Sequence, residues 1–116
     1  MGLLSSLFGS PQKPDLDESV LIQLKKAGSN LSKPHKIEFF LYFPSQTAAE
    51  QAELQIQERG FEVEARQAAQ GTDWICVATK TMIPNLADLQ QIRRDFDSLS
   101  AAAGGDYDGW GTPVVK

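Results

Sequence analysis

Residues 36–43 of the chain, KIEFFLYF, carry the strongest β-strand pattern in the sequence. Large apolar side chains stand at every second position, namely Ile37, Phe39, Leu41 and Phe43. Successive side chains of a strand point to opposite faces, so this alternation predicts a strand with one fully apolar face. The other face carries Phe40 and Tyr42, and Pro44 ends the strand because proline donates no hydrogen bond to a sheet. We therefore expect a sheet with apolar side chains on both faces.

The segments that follow this strand alternate between helical and strand patterns. Ser45, or Thr47 paired with Glu50 in a capping box, begins a helix that continues to about Arg59. The residues expected to face the interior in this helix are Ala49, Ala52 and Ile56. Residues 61–66, FEVEAR, then alternate apolar and charged side chains, which predicts a half-buried strand with its charged side toward solvent.

Two more strands and a long helix complete the pattern. Residues 74–81 predict a third strand, and Asn85 caps a helix that ends at the glycine pair 104–105. The apolar stripe of this helix is formed by Leu89, Ile92, Phe96 and Leu99. A last short strand is predicted over residues 110–115. The order β-α-β-β-α-β is the split pattern of ferredoxin-like folds. We therefore expect an α+β sandwich with two helices on one face of a four-stranded antiparallel sheet, whose first and third strands are central.

An extra N-terminal helix precedes this unit. Residues 15–27 predict a helix capped by Asp15 or Asp17, and residues 15–116 are interpreted as a single domain behind a flexible tail at residues 1–14. The apolar stretch of that tail is too short to span a membrane. The apolar stripe of the helix consists of Leu16, Val20 and Leu24, with Leu21 beside them. Because such a stripe needs a partner, we expect it to cover the face of the sheet opposite the other two helices.

That opposite face is the first candidate functional surface. Ile75 and Val77 are taken to point at the helices, which leaves Trp74 on the opposite face. Trp74 would lie there beside Phe40 and Tyr42, and an exposed apolar patch of this size usually marks an interface. Cover by the N-terminal helix is the favoured arrangement, and pairing of this face with a second copy of the chain is the alternative. A monomer is therefore expected, with a dimer as the alternative.

The second candidate surface is the glycine-rich segment 104–112, GGDYDGWGT. Glycine permits backbone conformations that other residues avoid, and tyrosine and tryptophan combine a large apolar body with one polar atom. This combination suits a contact surface, although the same residues could serve only to fold a tight turn or strand entry. The candidate partner-binding residues, here and on the acidic strand at 61–66, are Asp106, Tyr107, Asp108, Gly109, Trp110, Glu62 and Glu64.

The residue inventory favours a binding protein over an enzyme. A net charge of −4 without a Lys/Arg cluster argues against direct binding to nucleic acid. The only histidine, His35, is expected to be exposed in a connection, and the only cysteine, Cys76, is expected to be buried. One histidine and one cysteine cannot form a zinc site of the usual kind or a disulfide, and a lone cysteine suits a reducing cytoplasm. Asp106 and Asp108 offer at most a weak cation site. We expect no cofactor, no metal and no catalytic residues.

The string at residues 107–112, YDGWGT, resembles the C-terminal signature of the regulator of ribonuclease E activity B family. Weaker similarity extends over most of the domain, at residues 31–35, 40–44, 60–63 and 78–82. The resemblance implies an α+β sandwich that has no enzymatic activity and resides in the bacterial cytoplasm. It also implies that the protein binds ribonuclease E away from its catalytic centre and inhibits it. The signature residues that it carries over are Tyr107, Asp108, Gly109 and Trp110. This chain is less acidic than the well-characterised inhibitors of that family, so we expect only modest electrostatic attraction to a basic partner.

A second hypothesis belongs to a different class of function. Ferredoxin-like domains serve many purposes, so the chain could instead be a small-ligand-binding or dimeric interaction domain with a different partner. A dimer that buries Phe40, Tyr42 and Trp74 would favour this hypothesis. A monomer whose N-terminal helix covers the same face would favour regulation of a ribonuclease.

Overall fold

The computed structural model describes residues 15–116. Their helices and strands are α1 (Leu16–Lys26), β1 (His35–Phe43), α2 (Gln46–Glu58), β2 (Glu62–Gln67), β3 (Trp74–Met82), α3 (Leu86–Ala102) and β4 (Asp106–Gly111). The strands form one antiparallel sheet in the order β2-β3-β1-β4. This is the expected ferredoxin-like α+β arrangement with an extra N-terminal helix, and its first and third strands are central. The flexible tail predicted at residues 1–14 lies outside the described residues.

The alternation in β1 builds the core as expected. The side chains buried on the helix side of β1 are Ile37, Phe39, Leu41 and Phe43. Phe39 packs edge-on against both Phe61 and Phe96, with ring centroids 5.5 and 5.8 Å apart. Helix α3 buries the predicted stripe, with Leu89, Phe96 and Leu99 in the interior and Ile92 at its margin. The core therefore lies between the helices and one face of the sheet.

Helix α1 does not cover the open face of the sheet, so that expectation is wrong. Asp15 caps the helix, because its carboxylate accepts hydrogen bonds from the backbone N–H groups of Asp17 and Glu18. The helix then packs beside α3 and adds Leu24 to the common core, while Leu16 stays 61% exposed. The apolar stripe thus finds its partner in the helix layer, on the side of the sheet where α2 and α3 already lie.

The direction of the side chains of β3 also differs from the expectation. Trp74 packs against the core on the helix side, so its predicted place on the open face is wrong. Ile75 and Val77 lie on the open face instead, because they pair across the sheet with Tyr42 and Phe40. The open face therefore carries four apolar side chains, and two of them are not those that the sequence indicated.

The reason for this direction is the close approach of α2 to β3. The helix presents the small residues Ala49 and Ala52, and the strand presents Cys76 and Ala78, all of them buried. The Cys76 Sγ–H donates a hydrogen bond of 3.3 Å to the backbone carbonyl of Ala49. At the positions of Cys76 and Ala78, larger side chains would not fit beneath α2, so Ile75 and Val77 occupy the opposite face.

Two further expectations about chain ends are corrected. The last strand is Asp106–Gly111 rather than residues 110–115, and the following residues run beside the loop that precedes β1. His35 is fully buried rather than exposed. Its Nδ1 donates to the Lys33 carbonyl at 2.8 Å, and its Nε2 lies 2.6 Å from the Ser29 hydroxyl, which receives the Val115 N–H. His35 is therefore a buried connection between the loop and the C-terminal segment.

Candidate functional site

A β-bulge in β4 decides where the aromatic residues of the C-terminal motif point. Gly109 pairs with Phe40 and Tyr107 pairs with the next residue of β1, so Asp108 has no partner in the register. Gly109 supplies the required backbone conformation, with φ at +109°. Tyr107 and Trp110 are three residues apart and would lie on opposite faces of a regular strand. The extra residue brings both of them to the helix side.

Trp110 is anchored by a carboxylate of α1. Its indole Nε1–H donates to Oδ1 of Asp17 at 2.9 Å, and Asp17 is only 1% exposed. The guanidinium of Arg93 in α3 donates two more hydrogen bonds of 2.9 Å to the same carboxylate. Such complete pairing is what a buried charge requires. These three residues, which we name the Asp17 clamp, join α1, α3 and β4.

Arg93 and Tyr107 extend this packed region. Hydrogen bonding to Asp17 raises the pKa of the Arg93 guanidinium. The same guanidinium lies over the ring of Tyr107, 5.1 Å from its centroid, and Phe96 packs against the other part of that ring at 5.7 Å. Burial raises the pKa of the Tyr107 phenol, whose hydroxyl has no hydrogen-bond partner among residues 15–116. Tyr107 is held as a packing residue at this position.

The glycine pair before β4 allows a close approach of two strands. A Cβ atom on Gly105 would lie 2.0 Å from the backbone oxygen of Tyr42 and 2.9 Å from the ring of Phe43. The Gly105 N–H also donates to the Ser100 carbonyl at 2.8 Å, which ends α3. Only glycine fits here, so this part of the motif serves the entry of β4 into the sheet.

The bulge also separates the two carboxylates of the motif. Asp106 pairs with Tyr42 and lies exposed on the open face. Asp108 instead borders a groove of about 350 Å³ between α1 and β4, together with Leu16, Val20 and Trp110. The two side chains therefore do not converge on one ion. Within residues 15–116, no group of three or more His, Cys, Asp or Glu side chains is arranged to hold a metal.

The open sheet face carries apolar side chains that the described helices leave uncovered. We define it by an apolar centre and an acidic rim. The apolar centre is formed by Phe40, Tyr42, Ile75 and Val77. The acidic rim is formed by Glu38, Glu62, Glu64 and Asp106, which lie in the cross-strand rows beside these residues. All three helices lie on the opposite side of the sheet. An uncovered patch of this kind is typical of an interaction surface.

The charge of this face is predominantly negative. Arg66, the basic residue of β2, forms an exposed ion pair of 3.1 Å with Glu64, so its charge is offset within the face. Lys36 lies in the row with Thr81, next to the row that holds Glu38 and Glu62, and it borders a pocket together with Glu62. The three remaining rim carboxylates have no ion-pair partner among residues 15–116.

The family model described as Regulator of ribonuclease activity B matches residues 15–112. The chain belongs to this family. The match spans every helix and strand of the domain and includes the YDGWGT string, so the resemblance expected from the sequence is confirmed. Membership of a regulator family implies a non-catalytic role and a protein partner in RNA degradation. No curated protein sequence matches the chain. Among residues 15–116, no helix has the length and apolarity needed to cross a membrane.

The candidate residues predicted from the sequence fall into two groups, one on the open sheet face and one in the interior. The open sheet face brings together five of them: Phe40, Tyr42, Glu62, Glu64 and Asp106. The interior and its border hold the other five: Trp74, Tyr107, Asp108, Gly109 and Trp110. The sequence analysis did not predict that Ile75 and Val77 lie on the open sheet face. The only signal for this direction is the small size of the alternating residues Cys76 and Ala78. The sequence analysis also missed Asp17 and Arg93, because 76 positions separate them and no pattern relates them.

Three side chains that could act as a nucleophile or a base, Ser29, His35 and Cys76, are buried. Ser29 and His35 form a close pair, but both are buried and the Ser29 oxygen already accepts the Val115 N–H. Burial raises the pKa of the Cys76 thiol to about 12, so this thiol is protonated and unreactive at neutral pH. Each group therefore has a structural explanation within the core.

Proposed function

We propose that this chain is a protein-binding inhibitor of an endoribonuclease of the ribonuclease E type in the bacterial cytoplasm. It lowers the rate of RNA cleavage by occupying a site on that enzyme and catalyses no reaction itself. Two findings support the proposal: membership of a family of ribonuclease regulators, and an apolar sheet face with an acidic rim that the described helices leave uncovered. The open sheet face is the observation that carries it, because a stable apolar patch on a small domain usually has a partner.

A protein partner suits this surface better than RNA. Phe40 and Tyr42 lie on the sheet where RNA-recognition domains place base-stacking aromatic residues. Those domains, however, neutralise the phosphates of RNA with basic side chains. Here the carboxylates of Glu38, Glu62 and Asp106 would repel the phosphates. Direct binding to RNA is therefore not part of the proposed mechanism.

The direct test is cleavage of a short fluorescent RNA by the full-length ribonuclease E of the source organism. We expect the full chain to slow cleavage in a dose-dependent manner and to bind the enzyme in calorimetry. The chain should not bind the RNA in the absence of the enzyme. Unchanged cleavage together with absence of binding to the enzyme would refute the proposal.

A dimer through the open sheet face is the second candidate, because the described helices leave this face uncovered. Sedimentation analysis of the full chain over a range of concentrations separates the two. A monomer at micromolar concentration supports an open surface for another protein. A stable dimer that dissociates on substitution of Phe40 would favour the interaction-domain hypothesis instead.

A further inference from the structure

Resting on the proposed function, we infer that the open sheet face receives a short, positively charged segment of the ribonuclease that carries large apolar side chains. This inference names both the surface and the chemistry of its occupant. It assigns the contact to Phe40, Tyr42 and Val77, outside the YDGWGT motif.

The apolar centre lies in the middle of the sheet. Phe40 pairs with Val77 and Tyr42 pairs with Ile75, so the four side chains form two adjacent rows on the central strands β1 and β3. Ile75 and Val77 are each 7% exposed, whereas the two aromatic rings remain half-buried. The rings therefore provide most of the accessible apolar surface. A partner gains apolar contact only by laying large side chains against these rings.

The acidic rim sets the charge of the occupant. Glu38 and Glu62 lie in one row on either side of Thr79, and Asp106 borders Tyr42 at the other end of the face. Carboxylates therefore flank the apolar centre on both edges of the sheet. Lysine and arginine side chains beside the apolar residues of a partner segment would pair with these carboxylates, which favours association and orientation.

The same charges disfavour the other occupants of this face. In a face-to-face dimer, two apolar centres would bring two acidic rims together, and like charges across an interface oppose association. An RNA strand would meet the same repulsion from Glu38, Glu62 and Asp106. A cationic protein segment is the occupant that satisfies both the apolar centre and the rim.

The test compares two double charge reversals in the full chain with the same change in net charge. Glu38→Lys/Glu62→Lys alters the rim, and Glu50→Lys/Glu58→Lys alters exposed positions of α2 on the opposite side of the molecule. Binding to full-length ribonuclease E is measured by calorimetry, and inhibition is measured with the fluorescent RNA. All four positions are exposed, and thermal melts verify that each variant folds.

We expect the rim variant to bind at least about tenfold more weakly and the α2 variant to stay within about twofold of the unaltered chain. Raising the salt concentration should weaken the binding of the unaltered chain to the enzyme and should have less effect on the binding of the rim variant. Overlapping peptides that cover the ribonuclease E sequence provide the probe for the segment. The peptides that bind should be net positive and contain large apolar residues.

The outcomes distinguish this inference from the proposed function. If the unaltered chain inhibits the enzyme and both variants inhibit equally well, the proposed function stands and the assigned surface is wrong. If only neutral or acidic peptides bind, the assigned chemistry is wrong. If the unaltered chain neither binds nor inhibits, the proposed function fails and the inference fails with it. A Phe40→Thr variant that folds and inhibits with unchanged potency would also overturn the assigned contact.

Discussion

The aromatic residues on the two faces of the sheet have opposite surroundings. On the helix side, Trp110 and Tyr107 are fixed between α1, α3 and β4, and the Asp17 carboxylate holds the indole N–H. On the other side, Phe40 and Tyr42 lie beside exposed carboxylates, and none of the helices within residues 15–116 covers them. The two aromatic residues of the YDGWGT string therefore hold the fold together. The residues of the open sheet face lie mainly on the neighbouring strands β1, β2 and β3.

The charges on the two faces follow the same division. Asp17 is buried, so its carboxylate needs all the donors that surround it, and loss of one leaves an unsatisfied polar group. Rim carboxylates such as Glu62 are exposed and contribute little to the stability of the fold. Substitutions should therefore affect stability on the helix side and binding on the open side.

The largest expected effect comes from removal of the buried indole. Trp110→Ala should lower the free energy of unfolding by about 3–5 kcal/mol, because it leaves a cavity and removes one donor from Asp17. Phe40→Ala, on the open sheet face, should cost about 1 kcal/mol because its ring is only half-buried. Urea unfolding of both variants gives these values. Equal losses for the two variants would contradict the division between the faces.

The next effect tests the Asp17 clamp. Asp17→Ala should lower the free energy of unfolding by about 3 kcal/mol, because it leaves the Arg93 guanidinium and the Trp110 N–H without their acceptor. Asp17→Asn should cost less, since the amide oxygen still accepts a hydrogen bond. Chemical unfolding of the two variants, in parallel with the inhibition assay, measures the difference. An Asp17→Ala variant with unaltered stability would refute the structural role of the clamp.

A smaller effect is expected from the close approach at the start of β4. Gly105→Ala should lower stability by about 2 kcal/mol, because the new Cβ would collide with the backbone oxygen of Tyr42. Gly111→Ala is the matched control, since a Cβ there meets no atom within 4 Å. It should change stability by less than about 0.5 kcal/mol. The melting temperatures of the two variants test this contrast.

The smallest effect concerns the cap of α1 at low pH. Hydrogen bonds, first from the Glu18 N–H and also from the Gln90 side chain, hold the pKa of Asp15 below its usual value of 3.8. A carboxyl with a lowered pKa in the folded state stabilises the fold above its ordinary pKa and loses this contribution as the pH falls through the lowered value. Asp15→Ala should therefore melt below the unaltered chain at pH 7, and the gap should narrow as the pH falls below the ordinary value of 3.8. A gap that does not change with pH would contradict the charged cap.

The sequence was sufficient for those elements whose pattern is regular. The alternation in β1 and the helical stripe of α3 each bury one predicted set of side chains. The element order then leads to the ferredoxin-like sheet, because sequential patterns of this length leave few alternative topologies. Family membership was predictable from the YDGWGT string.

The remaining features depend on contacts that no local pattern reveals. Residues 74–78 are apolar without interruption, so their alternation cannot indicate which side chains face the helices. The position of α1 depends on Asp17 meeting Arg93 and Trp110, which are distant in sequence. The bulge at Asp108 reverses the direction of side chains within β4, and only the register with β1 shows it.

The most direct test of the central claim is a methyl NMR titration of the full chain with ribonuclease E. The account predicts that the methyl signals of Ile75 and Val77, on the open sheet face, shift or broaden as the enzyme is added. The methyl signals of Ile37 and Ile56, which are fully buried on the helix side, should remain unchanged. A response confined to Val20 and Leu16, beside the groove between α1 and β4, would contradict the claim that the open sheet face makes the contact.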